Sequence, residues 1–298
     1  MNEVVKKLSY IPYTAWRQVK WLAGDRSPFA ATLKLTTRCT LKCRHCPWLD
    51  SETEDLPTQQ WKEIIDKTYS LGARHLVMEG GEPTLRDDLN ELIKHGQKKG
   101  MNVTLATNAT RDLSAYTPDR FLVSVDGLEQ THDSIRGKGA FKRMKENLSS
   151  ATSPTIALVS LSRENRDEIE EVLKYFTPLL DGFWFSFVYD YDCSEKLSLS
   201  PEEKKAAAKE IQALMNSYPI INKPSYLRRV GTKRQCRDWL LYTVTADGTV
   251  HKGCMVEAID DCRCDDCELA CHREFSDFLD PRLYPYHFID YLIRLLQV

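Results

Sequence analysis

No stretch of this sequence approaches the roughly 18 apolar residues of a membrane span, and the N-terminus lacks the uninterrupted apolar core of a secretion signal. A cytoplasmic chain is expected. An excess of one charge sign is missing as well: 41 Lys and Arg stand against 43 Asp and Glu, a formal net charge of −2. Without a basic excess there is no global electrostatic reason to expect a nucleic-acid partner. Internal repeats and low-complexity tracts are absent. Apolar residues at 42% and charged residues at 28% exclude a disordered chain, a collagen and a coiled coil. A length of 298 residues allows about two domains, or one α/β barrel.

Cysteine, by contrast, is plentiful. Ten thiols in a chain without a signal peptide should be reduced, which points to metal or redox use rather than disulfides. Cys39, Cys43 and Cys46 fall within eight residues, Cys193 stands alone, and six lie between Cys236 and Cys271. Two metal sites in two regions follow as a working expectation.

From Thr32 to Tyr189 short runs rich in Val, Leu, Ile, Phe and Thr alternate with helical patterns. The strand candidates are Thr32–Thr36, His75–Met78, Asn102–Ala106, Phe121–Val125, Thr155–Ser160 and Phe183–Val188. Between them, Thr58 is placed to cap a helix carrying Trp61, Ile64, Ile65 and Leu71 with a stop at Gly72, Asp88 precedes Leu89, Leu92 and Ile93, and Ile169, Val172, Leu173 and Phe176 recur at helical spacing. Repeated β-then-α order predicts an α/β fold with a parallel sheet and right-handed crossovers. Six units make an incomplete, (β/α)6 version of the eight-unit TIM barrel, with its chemistry at the C-terminal ends of the strands. Ser200-Pro201-Glu202-Glu203 reads as a capping box opening a helix to about Ser217. Pro219 and Pro224 then mark a linker, and Asp247-Gly248 between Tyr242–Thr245 and Thr249–His251 is a hairpin-turn signal in a C-terminal cysteine-rich β-hairpin and helix extension. The expected divisions are an N-terminal helix at 1–29, the barrel at 30–192, a linker with a helix at 193–230, the cysteine-rich module at 231–274 and a C-terminal helix at 275–298.

Cys39-x-x-x-Cys43-x-x-Cys46 follows the first strand directly, where a barrel loop would start. Structural zinc wants four protein ligands, and the nearest fourth donor is His45, so a three-Cys-plus-His zinc knot is one reading. The other is an iron–sulfur cube, in which three thiolates leave one iron open to an outside ligand. Glu79-Gly80-Gly81-Glu82-Pro83 follows the second strand at the same face, where paired glycines let backbone approach a ligand closely.

Together these residues resemble the radical S-adenosylmethionine (radical SAM) superfamily. Thr107-Asn108 after the third strand, Ser124-Val125-Asp126-Gly127 ending the fourth, and Thr131-His132-Asp133-Ser134-Ile135-Arg136-Gly137 add to the resemblance, which covers about residues 30–190. It implies a 4Fe–4S cluster on Cys39, Cys43 and Cys46 whose fourth iron is chelated by the amino and carboxylate groups of S-adenosylmethionine. By the same resemblance Gly80, Gly81, Glu82 and Pro83 contact the methionyl amine, and Asn108 belongs to the cofactor site. Ser124 and Asp126 lie where the family contacts ribose or methionyl, Arg136 pairs with the cofactor carboxylate through its planar fork, and His45 sits near adenine. Asn165 matches a common position after the fifth strand. The implied chemistry is reductive cleavage of the sulfonium to methionine and a 5′-deoxyadenosyl radical, with a reduced flavodoxin- or ferredoxin-type protein as electron donor.

Cys236 and Cys254 flank the hairpin, and Cys262, Cys264, Cys267 and Cys271 follow. This looks like the SPASM or shorter twitch extension of radical SAM proteins. The resemblance implies a second, auxiliary 4Fe–4S cluster held by four of Cys236, Cys254, Cys264, Cys267 and Cys271, with Cys262 the spare; structural zinc is the other reading of the C-x-x-C pair. The apolar stripe over residues 6–22, beside basic and tryptophan positions, suits either a lipid-facing helix in peripheral contact with a membrane or a helix packed under the barrel. The stretch Phe288–Leu296 poses the same choice. Cys193 is either near the active site or incidental, and Arg38, Lys42 and Arg44 form either an attractive surface for an anionic electron donor or a solvated rim. An enzyme acting on a peptide side chain, a lipid or isoprenoid, or a small metabolite is therefore expected; the rival is a non-catalytic zinc- or iron–sulfur-binding protein on a barrel scaffold.

Overall fold

The computed structural model describes Tyr13 and residues 16–21, 23–46, 53–190, 197–232, 236–253 and 267–278. Cys193, Cys254, Cys262, Cys264 and the 288–296 stretch lie outside the described residues. Six parallel strands are laid down in chain order: β1 (Ala30–Lys34), β2 (His75–Glu79), β3 (Asn102–Thr107), β4 (Arg120–Ser124), β5 (Thr155–Leu161) and β6 (Gly182–Phe187). The helices α1 (Thr58–Ser70), α2 (Leu89–Lys98), α3 (Glu129–Arg136), α4 (Ala140–Leu148) and α5 (Ile169–Phe176) connect them. The sheet is open, as an incomplete barrel requires, and each expected strand is present within two residues of its predicted ends.

Alternation along the strands sorts their side chains into two faces. Leu33, Met78, Leu105, Phe121, Val159 and Phe185 join Trp61, Ile65, Leu92 and Val172 of the helices in one continuous core. The parallel register aligns Leu33 with Met78, Met78 with Leu105 and Leu105 with Phe121, so this row runs from β1 to β4. The opposite, concave face carries the intervening residues: Lys34 opposite Glu79 on neighbouring strands, and Ser160 opposite Ser186. Hydrocarbon therefore fills the outer layer, while the inner one mixes these polar residues with Val77, Leu158 and Trp184.

Beyond the barrel come α6 (Pro201–Leu214), α7 (Pro224–Arg229), the hairpin β7 (Leu241–Val244) and β8 (Val250–Lys252), and α8 (Ala270–Phe278). The Ser200–Glu203 capping box is present in both directions, and Gly248 takes φ +85° in the hairpin turn. Pro224, expected in a linker, instead opens α7 at a position where the missing N–H costs nothing. The hairpin does not stand apart from the barrel: β7 pairs parallel with β1 and extends the sheet to the order β6-β5-β4-β3-β2-β1-β7-β8. Thr58 begins α1 but does not cap it; its hydroxyl bonds Asp88 at 2.6 Å. At the other end of the strands, Trp21 packs on Phe29, Ala30, Leu240 and Leu241, while Trp16 and Val19 stay exposed, so residues 16–21 bury one side under the barrel.

Candidate functional site

The chain leaves β1 into the cysteine loop and leaves β2 into the diglycine turn, and the two segments are laced together. Gly81 N–H donates to the Thr36 carbonyl at 2.7 Å and Glu82 N–H to the Arg38 carbonyl at 2.8 Å. A β-carbon on Gly80 would meet Thr36 O at 2.5 Å, and one on Gly81 would meet Arg38 O at 2.1 Å. Sequence alone suggests that the glycines let backbone approach a ligand. What they demonstrably admit is the root of the cysteine loop.

Glu82 closes the next layer. Fully buried, its carboxylate accepts from Thr84 N (3.1 Å), Thr84 Oγ1 (2.6 Å), Thr107 Oγ1 (2.8 Å) and Asn108 N (2.8 Å), which ties the turns after β2 and β3 together. Burial pushes this carboxyl above the ordinary carboxylate range against the pull of those donors. Pro83 begins the short helical turn that Glu82 caps. Asn108, positioned by that bond, points its amide at Thr40 Oγ1 (3.0 Å) and Cys39 Sγ (3.7 Å).

A matching contact comes from the other side. Arg136, at the end of α3 and nearly buried, places Nη1 3.9 Å from Cys43 Sγ while its Nε donates to Asp126 Oδ2 at 2.6 Å. The guanidinium expected to meet a cofactor carboxylate is thus engaged by Asp126. That carboxyl is fully buried and also accepts from Ser160 N at 3.2 Å. Burial works to raise it, but Arg136, His45 and His132 together hold it below its ordinary value. His45 lies 3.9 Å from Asp126, and His132 Nδ1 accepts from Asp126 N–H at 3.2 Å. Asn165 braces the same corner by donating to Asp126 O and Ser160 O. Ser124 ends β4 half-buried on the concave face.

The three thiols of the loop are free, with Cys43 buried, Cys46 partly so and Cys39 exposed. Burial pushes the Cys43 thiol up to about 11, against the pull of Arg136. Among the described residues no group of three His, Cys, Asp or Glu side chains is drawn closely enough to enclose a single metal ion. The chemistry of the donors decides the fit: three thiols on one loop, two of them faced by nitrogen donors that hydrogen-bond a thiolate, suit an iron–sulfur cluster. Of the rim cations, Arg38 pairs with Asp55 at 2.5 Å and Arg44 with Glu164 at 3.3 Å.

Some features have no counterpart in the sequence motifs. Lys34, almost buried on the concave face, pairs with Glu79 at 2.8 Å. Beside that pair a cavity of about 320 Å³ opens between the glycine turn and the β7–β8 hairpin. Arg86 staples the segment before α1 by bonding Leu35 O, Leu56 O and Asp88. Strict strand alternation could have placed Lys34 and Glu79 on one face; only the register brings them opposite each other.

In the C-terminal region Cys236 lies beside Ser276 of α8 at 3.9 Å, Cys271 packs against the Trp21–Leu241 cluster, and Cys267 is buried just ahead of α8. α8 rests on the turn at Asp238–Leu240.

The fold and site define a partial-barrel protein with a cysteine loop at the C-terminal end of its first strand. Residues 33–176 match the family model of the Radical SAM superfamily. The chain is similar to the AdoMet-dependent heme synthase of Methanosarcina barkeri, 33% identical over 168 residues that make up 51% of this chain and 48% of that one. It is likewise similar to the mycofactocin maturase MftC of Mycolicibacterium smegmatis, 34% identical over 163 residues, 50% of this chain and 41% of the other. The chain therefore spans about half the length of the curated relatives it matches, or less. Among solved structures, Streptococcus suis SuiB bound to S-adenosylmethionine shares the fold at a TM-score of 0.66 with 15% identity, covering 92% of this chain and 71% of that one. The anSMEcpe structure with bound AdoMet does so at 0.61 with 18% identity, covering 87% and 82%. No helix among the described residues is long and apolar enough to cross a membrane.

Proposed function

We propose that this chain is a radical SAM enzyme that binds a 4Fe–4S cluster on Cys39, Cys43 and Cys46 and uses S-adenosylmethionine to modify an organic substrate. The observation that carries the reading is the seating of the three-cysteine loop on Gly80-Gly81, with Asn108 and Arg136 presented to two of its thiols. When bound on Cys39, Cys43 and Cys46, the reduced cluster would supply one electron, and S-adenosylmethionine a sulfonium whose one-electron cleavage gives methionine and a radical that acts on the substrate.

The chain's own residues do the positioning. Gly80 and Gly81 hold the cysteine loop and leave backbone at the strand ends to meet the methionyl amine. Glu82 fixes that turn to the Asn108 loop, so its carboxylate acts through the backbone rather than by direct contact. Asn108 and Arg136 donate toward the sulfurs and thereby stabilise their anionic form. Asp126 holds Arg136 in place; Ser124 and His45 are the candidates to contact the nucleoside. The concave face behind them would exclude water from a reactive radical.

The cysteines around α8 support an auxiliary cluster of the SPASM or twitch type, with Cys236, Cys267 and Cys271 among its ligands and Cys254 and Cys264 as the other candidates. A flavodoxin- or ferredoxin-type donor would supply the electron. The named relatives are a heme synthase and a mycofactocin maturase, and the substrate classes kept here are a peptide side chain, a lipid or isoprenoid, and a small metabolite.

The test is 5′-deoxyadenosine release by the anaerobically reconstituted chain on strong reduction. Cys39→Ala, Cys43→Ala or Cys46→Ala should abolish it, while Cys236→Ala and Cys254→Ala should leave it largely intact. Retention of full cleavage in any of the first three would refute the assignment.

A further inference from the structure

Helix α3 begins on a residue that cannot cap it. Leu128 stands at its N-cap without a side-chain hydrogen bond, so its own segment leaves the open end of the helix unserved. The missing bonds come from Glu168, half-buried in the short turn Arg166–Glu168 between β5 and α5. Its Oε2 accepts from Leu128 N–H at 2.8 Å and its Oε1 from Thr131 Oγ1 at 2.5 Å. A carboxylate at this end also meets the favourable pole of the helix dipole. Gly127 makes room for it: the glycine takes φ +128°, and a β-carbon there would stand 2.7 Å from Glu168 Oε2. Asn165, at the head of the same turn, holds the segment from a second point by donating to Asp126 O at 3.3 Å.

The far end of α3 faces the cysteine loop. Ile135 O accepts from Arg44 N–H at 3.0 Å, and Arg136 reaches Cys43 Sγ at 3.9 Å while Asp126 holds its Nε. Between the two ends lie only 8 helical residues, too few to keep their shape and place without tertiary contacts. The hydrogen bonds of Glu168 go to Leu128 and Thr131 and not to the loop, so its influence on Cys43 passes through the helix.

We propose that Glu168 is a positioning residue: by fixing the start of α3 it sets how closely Arg136 approaches Cys43, and through that contact it tunes the cluster. The effect on the cluster rests on the proposed radical SAM activity; the anchoring of α3 does not. A hydrogen bond to a ligating sulfur stabilises the more negative, reduced state of an iron–sulfur cluster and so raises its potential. Loosening α3 weakens that bond, and the cluster becomes harder to reduce.

An EPR-monitored redox titration of the anaerobically reconstituted chain, read on the signal that responds to S-adenosylmethionine, tests the proposal. Glu168→Ala should move the midpoint to a more negative potential. Glu168→Gln should keep the parent value, because its amide can accept from Leu128 N–H and donate to Thr131 Oγ1. A merely structural role would lower stability and leave the potential where it is. Hydrogen exchange, read on peptides spanning 128–136 and on one containing Arg44, should speed up in Glu168→Ala and match the parent in Glu168→Gln. Far-UV circular dichroism identifies a variant that has simply unfolded. Should Glu168→Ala be one, Thr131→Val carries the decision: it removes one of the two bonds while keeping the side chain's shape, and should give a smaller shift in the same direction. A parent-like potential in the deciding variant would overturn the proposal. So would a shift shared by Glu168→Gln, which would report lost charge rather than lost anchoring. If the parent chain takes up no iron at the loop, the radical SAM reading fails and exchange decides: faster exchange in Glu168→Ala upholds the anchoring of α3, and unchanged exchange refutes it.

Discussion

Gly81 lies so close to Arg38 that a β-carbon on the glycine would stand 2.1 Å from the arginine's carbonyl oxygen. The contact is backbone against backbone, and neither partner has a flexible end that could swing aside. It joins the turn after β2 to the root of the cysteine loop and fixes where the three thiols begin.

Gly81→Ala should therefore separate the two loops. The expected loss is about 1–3 kcal/mol of stability, as for other overpacked sites, together with a large fall in iron bound after reconstitution. Urea unfolding and iron analysis of the purified variant measure both. Gly80→Ala should act in the same direction, because its β-carbon would meet Thr36 O at 2.5 Å. A variant that loads iron like the parent would show that the contact is not what seats the loop.

The Asp126–Arg136 pair is buried and made at 2.6 Å. Removing one partner strands the other charge, so Arg136→Met should cost about 3–5 kcal/mol, while Asp126→Asn combined with Arg136→Met should cost less than the sum of the single changes. A double-mutant cycle in urea reads the coupling. Strict additivity would mean that the two side chains do not depend on each other.

Two buried histidines set an acid limit on stability. His132 is pushed down to about 4, chiefly by burial and next by Arg136, and burial likewise takes His272 down to about 4. Against an ordinary value of 6.5, the unfolded chain binds the extra protons between pH 6.5 and 4. Stability is therefore full above pH 6.5 and falls as pH drops through that window, by about 3 kcal/mol for each histidine. Urea midpoints across pH 7 to 4 should show the slope, and His132→Gln should flatten part of it. A midpoint that holds steady down to pH 4 would contradict the burial of both rings.

The barrel is legible in the sequence because a parallel sheet covered by helices needs short apolar strands at regular intervals, and those runs appear in the amino-acid order. The cysteine spacing and the diglycine are legible for the same reason: they are local. What escapes is long-range. Whether β7 joins β1 is decided by register between segments some 200 residues apart in the chain. The engagement of Arg136 by Asp126, and of Thr58 by Asp88, is equally invisible, since the motif gives each residue's place but not its partner. Short helices such as α4 lack the length for a periodic signal to stand out, and Pro224 reads as a break until its neighbours show that it opens a helix.

The most direct test of the central claim is the iron content and low-temperature EPR of the anaerobically reconstituted, reduced chain, with and without S-adenosylmethionine. About eight irons per chain are expected, falling to about four in the Cys236→Ala, Cys254→Ala variant, with a cluster signal that changes on adding the cofactor and disappears in Cys43→Ala. Zinc in place of iron at the loop, or a signal unmoved by the cofactor, would contradict it.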